Sequence, residues 1–175
     1  MNEEKNTIER STIDGFLIIY NRLKTDDFRA LQYGDAPDAV CRNTKGEDLN
    51  IEVTITEDRP RDLQAMLGRS DHKSIESVRQ QMDRVKQGLE PVQFSSLSGN
   101  VLDQAIDRIE KKLLKRYGPH TALVVRNSSP LPWNWNDVKD QMIRRLNLKT
   151  NPFDKGIWIL DYDKKNLFQM VEGAP

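Results

Sequence analysis

The chain has 175 residues, 37% of them hydrophobic and 31% charged, and its formal net charge is zero. That length suits one domain with a substantial core, and the zero balance excludes a surface coated in positive charge, though not a local basic groove. A lone cysteine, Cys41, excludes an internal disulfide; the charged stretch MNEEKNTIER argues against a secretory signal and no apolar run approaches the ~18 residues of a membrane span, so the expected compartment is the cytoplasm.

The first element predicted is a helix over 6–24, NTIERSTIDGFLIIYNRLK. Ile8, Phe16, Ile19 and Leu23 lie near one stripe, Ser11, Thr12 and Gly15 fill it, and Asn6 with Glu9 has the spacing of a capping box. A strand is expected in FRALQY. Two more, PDAVCR and DLNIEVTI, are joined by the turn NTKGE, where Gly46 supplies a positive φ. A polar connection with a short helix around 63–67 follows, then a helix in SIESVRQQMDRVKQG and a loop in LEPVQFSSLSG.

The clearest helix is NVLDQAIDRIEKKLLKRYGP, with Asn100 as cap and an apolar face of Val101, Leu102, Ala105, Ile106, Ile109, Leu113 and Leu114. TALVVR reads as a strand buried on both faces. Beyond the loop SSPLPWNW come a helix capped by Asn136 and two strands, GIWILDY and NLFQMV. The order predicts an α/β fold, a single domain over 1–175 with a mixed central sheet flanked by helices.

Alternation in DLNIEVTI puts Leu49, Ile51, Val53 and Ile55 on one face and Asn50, Glu52, Thr54 and Thr56 on the other. If the hairpin pairs in this register, Asp38 lies near Glu52. Two carboxylates projecting together repel, and a hard divalent cation such as Mg²⁺ or Mn²⁺ reconciles them. The competing reading places Glu52 on a solvated sheet face and makes Asp38 a turn residue.

Pro37-Asp38, a turn, and then Glu52-x-Thr54 on the next strand resemble the motif of the PD-(D/E)XK nucleases, the restriction-endonuclease-like fold. The order of helix, three strands, helix and strand is similar too. The resemblance covers about 8–126 and leaves 127–175, a helix and two strands, as an extension.

It implies Mg²⁺- or Mn²⁺-dependent hydrolysis of phosphodiesters in DNA or RNA. Asp38 and Glu52 match the metal-binding carboxylates, and Glu9 matches the acid of the leading helix. Thr54 occupies the lysine position, where this chain departs from the pattern. Some members of the superfamily move that lysine to a neighbouring helix. Gln104, Arg108, Lys111 and Lys115 form a polar stripe on the helix after the strands. Gln104 resembles the helix glutamine of several branches, and with Arg108 is the expected substrate contact. Lys111 or Arg108 is the expected group for stabilising charge on the phosphate. By analogy, cutting two strands implies a homodimer or a place in a larger system. The alternative is a catalytically inactive member of the fold serving as a nucleic-acid- or protein-binding module, which the missing lysine and zero net charge favour.

Overall fold

The structure, a computed structural model, describes residues 2–56, 95–127, 134–161 and 165–173, with side chains described from Asn6 and, in the second stretch, from Leu102. Helix α1 (Asn2–Lys24) leads into strands β1 (Arg29–Tyr33), β2 (Ala39–Arg42) and β3 (Asp48–Ile55). Helix α2 (Ser95–Leu113) precedes β4 (Thr121–Arg126), and α3 (Trp135–Arg145) precedes β5 (Ile157–Leu160) and β6 (Leu167–Val171). The expected helix over 74–88 and the short helix around 63–67 lie outside the described residues.

The six strands form one mixed sheet in the order β1-β2-β3-β4-β5-β6. The β1–β2 and β2–β3 pairs are antiparallel, β3–β4 and β4–β5 parallel, and β5–β6 antiparallel. The β2–β3 hairpin sets Ala39 opposite Ile51 and Cys41 opposite Leu49, with Gly46 at φ 83° in its turn.

Each face of the sheet carries its own apolar layer. On one, Ile13, Phe16, Leu17 and Tyr20 of α1 pack over Leu49, Ile51, Val53 and Ile55, with Val124 and Trp158. On the other, Leu102, Ala105, Ile106, Ile109 and Leu113 of α2 join Val138 and Met142 of α3 over Leu123, Val125, Ile157 and Ile159. Both faces of the parallel strands are therefore covered, as parallel pairing requires. The mixed α/β architecture expected from the element order is the one observed.

Several local readings need correction. The buried stripe of α1 is Ile13-Phe16-Leu17-Tyr20, while Leu23 is 57% exposed. The same apolar set offers two overlapping stripes, and the phase is chosen by the sheet beneath. Neither Asn6 nor Asn100 caps a helix, because α1 and α2 have begun by Asn2 and Ser95. Residues 95–99, expected as loop, are thus helical. Leu114 is 87% exposed, because α2 ends at Leu113 and the chain turns outward. The cap of α3 is Asn134 rather than Asn136, so Trp135 is helical, and its ring stacks on Phe168 with centroids 3.9 Å apart.

The far end of the sheet depends on two glycines. Gly156 sits at φ 87°, and a Cβ there would meet the Val171 carbonyl oxygen at 2.6 Å. A Cβ on Gly173 would stand 1.8 Å from the Asp154 carbonyl oxygen. The turn before β5 and the end of β6 approach too closely for side chains.

Candidate active site

Glu52 lies midway along β3, on the face opposite Leu49, Ile51, Val53 and Ile55. Its register partner on β4 is Leu123, and that of Thr54 is Val125, both in the layer under α2. Glu52 is 4% exposed and Thr54 7%. The solvated-face reading of Glu52 therefore fails. Alternation marked the second face correctly, but α2 covers it.

Asp38 immediately precedes β2. The pairing of Ala39 with Ile51 carries forward to place Asp38 beside Glu52. Asp38 is buried, and its Oδ2 accepts the Val53 backbone N–H at 2.6 Å, so the carboxylate takes over where the β2 ladder has ended. Burial pushes the Asp38 pKa up to about 6; the charges of Glu52 and Glu9 add to the rise, and the Val53 bond and Lys112 oppose it.

The cation at this pair is Lys112. Its Nζ donates to Glu52 Oε1, and the ion pair is largely enclosed, with the Lys112 side chain 20% exposed. Lys111, the residue expected to act here, lies on the exposed side of α2. The signal for Lys112 was available in the apolar spacing. Ala105 and Ile109 are fully buried, and Lys112 follows them by seven and three residues, which places it on the covered side. Lys111, one residue earlier, is rotated away by about 100°.

Arg108, one turn before Lys112, donates to the Ile55 carbonyl oxygen at 2.6 Å. Lys112 at Glu52 and Arg108 at Ile55 show that α2 runs antiparallel to β3, the direction of a crossover leading to a parallel β4. Gln104 continues this line outward, and its Oε1 is buried without a hydrogen-bond partner among the described residues. Glu9 lines a cleft of about 250 Å³ with Asp38, Arg10 and Tyr33. It acts on Asp38 through its charge, but no group of three or more His, Cys, Asp or Glu side chains with metal-site geometry occurs among the described residues.

One residue of the cluster carried no sequence signal. Tyr117, beyond the end of α2, donates its hydroxyl to Glu52 Oε1 at 3.4 Å, while its ring packs on Phe153 with centroids 4.7 Å apart. Burial and the charges of Glu52 and Asp38 raise its pKa above the ordinary phenol value. The sequence places it inside the helix, but the helix ends at Leu113, so helical periodicity could not locate it.

The donor set can be tested against a divalent cation. Two buried carboxylates and one ammonium leave one uncompensated negative charge. Glu52 Oε2 is buried and has no hydrogen-bond partner among the described residues. Mg²⁺ commonly takes one or two carboxylates and completes its shell with water and phosphate oxygens, so this pair fits such an ion.

Comparison with protein-family models, curated proteins and solved structures gives no match for this chain. Among the described residues no helix is long and apolar enough to cross a membrane.

Proposed function

We propose that this chain is a nuclease-like domain of restriction-endonuclease-like fold that hydrolyses phosphodiester bonds in nucleic acid with Mg²⁺ or Mn²⁺. One observation carries the reading. The β3 position where the motif calls for lysine holds Thr54, and a lysine from the following helix, Lys112, reaches the adjacent carboxylate instead. The order of helix, three strands, helix and parallel strand supports it.

Asp38 and Glu52 would hold the ion. Bound there, it would polarise the scissile phosphate and lower the pKa of a water molecule. Lys112 holds Glu52 in place and sets a positive charge beside the site, where negative charge on the phosphate would build up. Asp38 must be ionised to bind the ion, and the ion's own charge would draw its raised pKa down. The test is a cleavage assay on single- and double-stranded DNA and RNA in Mg²⁺ and Mn²⁺. Asp38→Ala, Glu52→Ala and Lys112→Ala are each expected to abolish cleavage, whereas activity that survives the first two would sink the site.

A second reading, a binding module of the same fold without catalysis, is favoured by the direct bond of Lys112 to Glu52. That bond compensates one carboxylate without any metal. Nucleic acid bound by the wild-type chain but never cut in either metal would select this reading.

A further inference from the structure

The two oxygens of Glu52 have different surroundings. Oε1 accepts from both Lys112 and Tyr117, and Oε2 is buried with no partner among the described residues. A carboxylate held this way resists turning, because any partial rotation carries the bonded oxygen away from both donors at once. Lys112 is a flexible ammonium that fixes distance better than direction. The Tyr117 hydroxyl is carried on a rigid ring, and that ring is itself seated on Phe153, which is fully buried. It is the directional member of the pair.

We propose that Tyr117 is a positioning residue: it keeps Glu52 Oε1 occupied so that Oε2 is the oxygen offered to a divalent cation. The proposal rests on the metal reading of the site given above. Its physical basis is general, since hydrogen bonds to a ligating carboxylate orient it, and their removal typically weakens metal binding by 10–100-fold.

The experiment titrates Mn²⁺ alone into the full-length chain by calorimetry, for the wild type, Tyr117→Phe and Glu52→Gln, with thermal midpoints recorded without metal. Tyr117→Phe keeps the ring on Phe153 and removes only the hydroxyl. The expected result is a roughly tenfold loss of Mn²⁺ affinity with little change in the metal-free midpoint, and loss of binding in Glu52→Gln. A purely structural tyrosine would lower the metal-free midpoint and leave the affinity alone. Equal or tighter Mn²⁺ binding by Tyr117→Phe, beside a wild type that binds, overturns the positioning role and spares the metal site. No Mn²⁺ binding by the wild type overturns both.

Discussion

Asp38 sits where burial and the like charge of Glu52 both disfavour its ionisation, and the two carboxylates are partnered differently. Glu52 has Lys112. Asp38 has a backbone N–H and a pKa raised from 3.8 to about 6. Between those values the folded chain keeps a proton that the unfolded chain has released. Stability therefore falls as pH rises through that window, by up to roughly 1.4 kcal/mol per pH unit, and levels off above it. Urea unfolding at a series of pH values should show this slope in the wild type and a flatter one in Asp38→Asn.

The ion pair gives a second test at this scale. Lys112→Met would strand a buried carboxylate and should cost about 3 kcal/mol at neutral pH, with most of it recovered in the Lys112→Met, Glu52→Gln double variant. Lys111→Met, on the exposed side of the same helix, should stay within about 0.5 kcal/mol. Denaturant midpoints of these variants decide whether position 111 or 112 faces the site. The carboxylates themselves were legible in the sequence, because strand alternation has a period of two and a local hairpin leaves little freedom in register. The lysine was harder. On a helix one residue is a 100° rotation, and the polar stripe Gln104-Arg108-Lys111-Lys115 competes with the true line Gln104-Arg108-Lys112.

At the scale of elements, β3 runs from Asp48 to Ile55 as its alternation predicts, and β4 from Thr121 to Arg126 as its uninterrupted apolar run predicts. Helix starts were less legible. Ser95 to Gly99 carry turn-forming residues that read as loop, yet they extend α2 toward its N-terminus. Local propensity is a weak guide when the rest of the helix is held down by Leu102, Ile106 and Ile109. The turn before β5 is tested by Gly156→Ala. The position holds a positive φ that alanine disfavours, and the new methyl would strike the Val171 carbonyl oxygen. A loss of about 2 kcal/mol or more is expected in thermal or urea unfolding. An unchanged midpoint would show that the end of β6 yields easily.

For the molecule as a whole, the test is linkage between metal and folding. An ion that binds only the folded chain stabilises it by about 2.7 kcal/mol at a hundred times its dissociation constant. Added Mn²⁺ should therefore raise the wild-type melting temperature and leave those of Asp38→Asn and Glu52→Gln unmoved. A rise of equal size in all three would place the ion elsewhere.

What the sequence determined by itself was local and periodic. It showed a hairpin holding Asp38 and Glu52 side by side, strands in the right places, helices with apolar stripes, and a mixed sheet to receive them. The tertiary structure alone decided that the second face of β3 is covered, that Glu52 is the group Lys112 meets there, and that Tyr117 joins them. Those contacts join residues 60 and 65 positions apart. They depend on the rotational phase of α2, which is set by Leu123, Val125 and the rest of the layer beneath it, and a period read within one segment carries no information about what lies across from it.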